Sequence, residues 1–137
     1  MQVLELFLRY LINNEMKKLK RLPDRRSDCP LNCTLELIGD KWSLLIIRDI
    51  MFFGKTSYNE FLSSPEKIAT NILKDRLTKL TETGVLTYTG SDKRKKYAIT
   101  KLGLDLKPVL EAIVIFGTKH FEGSMEYLHQ QMKQTAN

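Results

Sequence analysis

Six side chains between positions 70 and 78 carry groups that can meet the edges of base pairs: Thr70, Asn71, Lys74, Asp75, Arg76 and Thr78. An asparagine amide gives an adenine edge two hydrogen bonds, a lysine reaches a guanine edge or a phosphate, and a threonine methyl touches thymine. Further on, Lys93, Arg94, Lys95 and Lys96 form an unbroken run. Four adjacent cations repel one another, a local cost that an anionic partner relieves. Backbone amides at the start of a helix near Ser57 are a third candidate, a place for a phosphate. Two thiols, Cys29 and Cys33, complete the reactive groups. They do not make a zinc spacing with His120 and His129, and they lack an evident base for thiol catalysis. No Ser/His/Asp set, phosphate-binding glycine loop or pair of carboxylates stands out, so neither metal, cofactor nor enzyme activity is expected.

The base-edge candidates sit on a helix. Ile68, Ile72, Leu73, Leu77 and Leu80 recur at helical spacing and form one apolar stripe. Thr70, Asn71, Lys74, Asp75 and Thr78 are left facing outward. The spacing predicts a helix over about 69–83, with Gly84 supplying the left-handed residue that stops it. Ser57-Tyr58-Asn59-Glu60 matches a capping box and opens a short helix that Pro65 breaks. Residues 85–89 and 97–100 are rich in β-branched and aromatic types. Gly90, Ser91 and Asp92 between them are turn formers. These runs predict a β-hairpin with the four cations at or just after its tip. Helix, turn, helix, hairpin is the order of a winged helix-turn-helix. There the helix at 69–83 enters the major groove, and the wing at 90–96 reaches the backbone or the adjacent minor groove. Taken separately, a solvated helix face and a solvated basic loop are the plainer readings. Their succession favours nucleic acid.

Composition agrees. A chain of 137 residues holds one domain with extensions, and 42% hydrophobic residues suffice for a core. Lys plus Arg outnumber Asp plus Glu by 22 to 16, giving +6 and a pI near 9.3, a moderate excess that suits an anionic partner. Two cysteines argue against a disulfide scaffold. No apolar run has the length of a membrane helix. A cytoplasmic location is expected.

The flanks are unusually apolar. Val3, Leu4, Leu6, Phe7, Leu8, Tyr10, Leu11 and Ile12 cover most of a predicted helix over the first sixteen residues, which therefore needs cover. Its counterpart in a dimer, or that subunit's C-terminal helix, would serve. Alternatively Met16 is the natural start and residues 1–15 are upstream sequence. Residues 17–28 are basic, polar and interrupted by Pro23, as a linker or arm would be. Pro30 fits a first helical position, which puts Cys29 at the N-cap. Leu31, Thr34, Leu35 and Ile38 are expected to line that helix's inner face, with Gly39 ending it. Asp40 is expected to cap the next helix, which runs to Phe53 and forms the buried centre. Thr100 caps the last long helix, in which Pro108 predicts a kink or break, since it costs about 3 kcal/mol in a helix interior. Leu106, Val109, Leu110, Ile113 and Phe116 there, with Leu4, Phe7, Leu8 and Leu11, are the expected dimer interface. Gly123-Ser124 permits a turn before a short final helix over 125–132.

This order and these residues resemble the HxlR family of bacterial winged-helix regulators, relatives of the MarR type. The resemblance covers residues 29–121. The stretch C-P-L-N-C-T-L-E-L-I-G-D-K-W-S-L-L-I-I-R-D-I looks like that family's opening Cys-Pro and G-x-K-W helix. I-A-T-N-I-L-K-D-R-L-T-K-L-T-E-T-G-V-L looks like its recognition helix and first wing strand, and Y-A-I-T-K-L-G like the wing's return. The resemblance implies a homodimer on a pseudo-palindromic double-stranded operator, its two recognition helices one helical turn apart.

It also implies a role for Cys29, which matches the Cys-Pro cysteine that senses oxidants or electrophiles in some members. The residues offer a separate case. A thiol at a helix N-cap feels the positive end of the dipole, which favours thiolate. Arg25 and Arg26 add to this and Asp28 opposes it. Cys29 as a mere cap is the plainer alternative. Cys33, one turn later, is expected in the core.

The expected fold is mainly α with a small β-hairpin. Residues 1–28 form a helix and basic arm, 29–100 a winged helix-turn-helix domain, and 101–137 dimerisation helices. The expected function is a homodimeric, sequence-specific DNA-binding transcriptional regulator, with Cys29 as a candidate switch. A winged-helix module that binds protein instead is the rival.

Overall fold

The computed structural model describes residues 2–13 and 24–136. The basic arm up to Pro23, the first helix beyond Asn13, and the side chains of Phe7 and Leu11 lie outside the described residues. The described chain runs α1 (Gln2–Asn13), α2 (Pro30–Ile38), α3 (Ser43–Phe53), α4 (Tyr58–Leu62), α5 (Thr70–Glu82), β1 (Leu86–Thr89), β2 (Lys96–Ile99), α6 (Lys101–Leu104), α7 (Lys107–His120) and α8 (Ser124–Thr135). It is mainly helical with one antiparallel hairpin, a winged helix-turn-helix.

The core gathers around α3 and the inner face of α5. Ile46, Ile47 and Ile50 of α3 are buried with Leu73, Leu77 and Leu80 of α5, Phe61 of α4, and Val85 and Leu86 at the root of the hairpin. Asp40, the expected cap, stands ahead of α3, which begins at Ser43 with Trp42 at its N-cap, but it still holds the start of the helix. Its carboxylate accepts from the amides of Trp42 and Ser43, both at 2.9 Å, and from the Ser43 hydroxyl at 2.6 Å. α5 starts after Ala69 and is followed by Gly84 at φ 88°, a backbone that only glycine adopts freely.

The hairpin pairs Leu86 with Ile99 and Thr89 with Lys96. Each strand begins or ends one residue from its expected place, and the Thr100 amide still donates to the Val85 carbonyl at 3.2 Å. The Tyr97 amide donates to the Thr56 carbonyl at 2.8 Å, which ties the hairpin to the segment before α4. Gly103 in α6 sits against the hairpin's root: a Cβ there would lie 2.4 Å from the Val85 carbonyl oxygen and 2.6 Å from Ile99 Cδ1.

Two expectations change. The buried face of α2 is Leu37 and Ile38, with Leu31 and Leu35 exposed. A nine-residue helix apolar on both sides gives periodicity little to choose from, and here the face bearing Leu37 meets the core. The break expected at Pro108 falls at Asp105–Leu106, because Pro108 sits in the first turn of α7, where its missing N–H is not required. The break turns α7 onto the domain, so Leu110 is 5% exposed and belongs to the core, with Leu106 and Val109 half-buried against it. Of the C-terminal interface residues expected, only Ile113 and Phe116 stand free, at 52% and 60%. Leu4 and Leu8 of α1 are exposed as well. No described helix is long and apolar enough to cross a membrane.

Candidate nucleic-acid interface

The helix-turn-helix is held rigid by polar contacts that begin at α3. Asp49, 3% exposed, accepts from Arg48 Nε at 3.0 Å and Nη2 at 2.8 Å, and also from the hydroxyl of Ser64 in the turn between α4 and α5. Arg48 also pairs with Glu66 in that turn, and Lys55 Nζ donates to Ser64 Oγ at 2.7 Å. Burial works against the Arg48 charge, but Glu66 and Asp49 more than restore it and push its pKa up. The Tyr58 hydroxyl donates to the Thr70 carbonyl at 2.7 Å, pinning α4 to the start of α5.

Ser57 forms the expected capping box: its hydroxyl accepts from the Glu60 amide, and its own amide donates to the Glu60 carboxylate. The Ser57 hydroxyl, with help from the amides of Ser57 and Thr56, holds the Glu60 carboxyl below its usual range. Ser57 is thus engaged within its own helix start, beside a carboxylate. That counts against the phosphate seat expected there.

Thr70, Asn71, Lys74, Asp75 and Thr78 are exposed on the outer side of α5. Arg76 departs from them. It lies about 60° around the helix from Leu73, half-buried, and its Nε stands 3.0 Å from Asp40 Oδ1. Its Nη1 pairs with Asp75. Arg76 therefore faces the junction of α2 and α3, with the base-edge candidates on another side.

Lys93 and Arg94 lie in a 3-10 turn, Asp92–Arg94, at the wing's tip, and Lys96 lies on β2. Lys95 is held 4.4 Å above the ring of Tyr88, whose own neighbour is Tyr97 at 5.8 Å. Phe61 meets Tyr97 edge-on at 6.1 Å, so a cluster of three aromatic rings anchors the wing to the core. Burial and the neighbouring phenols push the Tyr97 hydroxyl's pKa up.

Wing and helix face each other across a cleft of about 770 Å³ whose lining includes Ser57, Lys74, Thr78, Lys93 and Lys95, with Asp92 the one acidic residue. Thr70, Asn71, Asp75, Arg94 and Lys96 lie outside this lining. Tyr58 and Asn59, which also line it, were not among the site residues expected, although both stand in the capping-box motif. Nor was Lys79: its Nζ donates to the Glu36 carbonyl of α2 at 3.0 Å.

Cys29 is the exposed N-cap of α2, and Cys33 is half-buried, its thiol 3.5 Å from the Ser27 carbonyl. Both are free. The two arginines expected to assist Cys29 are engaged: Arg25 with Asp28 at 2.9 Å, Arg26 with Glu36 at 2.7 Å.

Comparison with known proteins gives this geometry a family. The chain is 30% identical over 95 residues to YdeP of Bacillus subtilis, an uncharacterised HTH-type transcriptional regulator, spanning 67% of this chain and 73% of that one. The crystal structure of PA1607, a candidate transcription factor, is 40% identical with a TM-score of 0.63 over 70% of this chain and 68% of its own. The redox regulator HypR in its reduced form is 26% identical, with a TM-score of 0.60 over 69% of this chain and 95% of its own. Residues 37–125 match the family model described as HxlR-like helix-turn-helix, and the chain belongs to that family of transcription regulators.

Proposed function

We propose that this chain is a homodimeric, sequence-specific DNA-binding transcription regulator acting in the cytoplasm. α5 reads the major groove and residues 90–96 hold the backbone or minor groove. The observation that carries this is the shared cleft: Lys74 of the helix and Lys93 and Lys95 of the wing converge on one space, beside an exposed ridge of Thr70, Asn71 and Asp75. The apolar groove on α7, lined by Pro108, Val109, Ala112, Ile113 and Phe116, supports dimerisation through that helix. A dimer places two recognition helices on half-sites of a pseudo-palindrome, about 34–36 Å apart.

Cys29 is the proposed switch. Its exposure at the N-cap of α2 leaves it open to an electrophile, or to oxidation by a diazene such as diamide. The diazene takes two protons and two electrons as the Cys29 thiols of two protomers join.

The test is a salt titration of binding to a duplex enriched from a random pool, against random DNA, for wild type, Asn71→Ala and Arg94→Ala. Loss of Arg94 weakens binding to both DNAs and flattens the salt slope by about one, and loss of Asn71 relaxes sequence choice. Wild-type behaviour of both variants refutes this interface. Salt-indifferent binding to a protein, with none to DNA, favours the interaction-module reading. Operator binding unchanged by diamide retires Cys29 to a structural cap.

A further inference from the structure

We propose that Arg76 and Lys79 are positioning residues that set the angle at which α5 meets a base sequence, and that their anchor is the corner between α2 and α3. The inference rests on the DNA-reading function proposed above.

α5 has three sides besides the exposed ridge of Thr70, Asn71 and Asp75. Leu73, Leu77 and Leu80 face the core. Lys74 and Thr78 face the wing cleft. Arg76 and Lys79, one turn apart and half-buried, take the remaining flank, and both reach backwards. Lys79 Nζ donates to the carbonyl of Glu36 in the last turn of α2. Arg76 Nε lies 3.0 Å from Asp40 Oδ1.

Asp40 is itself fixed, because the same carboxylate caps α3 through Trp42 and Ser43. Its Oδ1 already accepts from both amides, and the buried Arg76 Nε–H beside it is not aligned on an acceptor. The Arg76 contact is therefore a close charge pairing, without an aligned hydrogen bond, at a carboxylate that is already engaged. Such a pairing is ill placed as a main source of stability and well placed to restrain one helix relative to another. Leucine packing alone lets a helix roll by some degrees. Two cations gripping one fixed corner on one flank oppose that roll, and roll is what moves Asn71 and Asp75 relative to base edges. Arg76 also holds Asp75 directly, which sets the orientation of a carboxylate on the reading ridge.

The test uses the full chain with Arg76→Met, Lys79→Met, the double variant, and Arg76→Lys as the conservative replacement. Methionine keeps an unbranched stem and removes the charge. Three quantities are read for each: thermal midpoint, affinity for random DNA with its salt slope, and the ratio of affinities for the duplex the wild type selects and for random DNA. The expected result is a roughly 10-fold fall in that ratio for the double variant, the size of one good base contact. Random-DNA affinity and salt slope should stay unchanged, and Arg76→Lys should recover part of the ratio. A salt slope lowered by about one in Arg76→Met would make Arg76 a phosphate contact and overturn the proposal. So would a lower midpoint with the ratio intact, which is a structural role only. A wild type that selects no DNA sequence overturns the DNA-reading function and this inference with it. A selecting wild type whose variants select equally well overturns this inference alone.

Discussion

Asp49→Ala removes the carboxylate on which the helix-turn-helix is braced, and its cost can be worked from the surroundings. Deleting one member of a buried ion pair typically costs about 3–5 kcal/mol, because the remaining charge stays buried and uncompensated. Here two cations are left. Arg48 keeps Glu66, and Lys55 keeps the Ser64 hydroxyl. Their side chains are 19% and 20% exposed, so water relieves part of the loss. The expectation is therefore the lower end of the range, about 3 kcal/mol, or roughly 10 °C in Tm for a domain of this size. Ser64→Ala removes two hydrogen bonds, the one donated to Asp49 and the one accepted from Lys55, and should cost about 2 kcal/mol. The assay is urea unfolding followed by far-UV circular dichroism at fixed protomer concentration, since association makes apparent stability depend on concentration. The same variants are then titrated against DNA, where a loosened turn should weaken binding well below the unfolding midpoint. A loss under about 1 kcal/mol for Asp49→Ala, the scale of an exposed pair, would mean that the cluster is hydrated and braces nothing.

Two further outcomes follow from the same coordinates. Burial opposes the ionisation of Asp40, yet the Ser43 hydroxyl, the Trp42 and Ser43 amides and the Arg76 guanidinium hold its carboxyl at about 2, down from 3.8. A pKa lowered by folding contributes stability that is complete above the unfolded value and disappears as the pH falls through the folded one. The contribution, about 1 kcal/mol after solvent screening, should thus fade between about pH 5 and pH 2. Asp40→Asn should flatten that acid limb in urea midpoints taken across pH, and parallel limbs would contradict the assignment. Gly103→Ala should cost about 2–3 kcal/mol through overpacking, because its Cβ meets the Val85 carbonyl and Ile99. A thermal midpoint near the wild type's would show that α6 can shift away from the hairpin.

Much of this architecture could be read before any coordinates, and the reasons are local. A capping box, a glycine at a helix end, a proline that cannot continue a helix and a turn between two β-branched runs each act over a few residues, so Ser57, Gly84, Pro108 and Gly90 mark boundaries to within a residue or two. α5 was legible for the same reason, since three leucines on one side leave its outer side no choice. What could not be read was anything that depends on a second element. α2 carries leucines on more than one side, and only the position of its neighbours decides that Leu37 is buried and Leu35 exposed. Leu110 looked like interface because the stripe that contains it is continuous in sequence, and the break before α7 divides that stripe between the domain and its surface.

The same limit explains the candidate site, where neighbours in sequence part company. Asp75 and Arg76 are adjacent and oppositely charged, so a reading from residue types gives both to the groove. On the helix they stand about 100° apart, enough to put one on the ridge and the other at the flank. Whether a flank position touches a ligand or a neighbouring helix depends on what stands beside it, and beside Arg76 stands a carboxylate fixed by its own capping bonds. The consequence is electrostatic. With Arg76 and Lys79 turned to the α2–α3 corner, the cations of α5 and the wing that share the cleft are Lys74, Lys93 and Lys95, all on the wing side of the helix. On the proposed reading, phosphate contact is therefore concentrated on that side. The opposite edge of α5 contributes orientation and little affinity, and for this reason the salt slope and the sequence preference should respond to different residues.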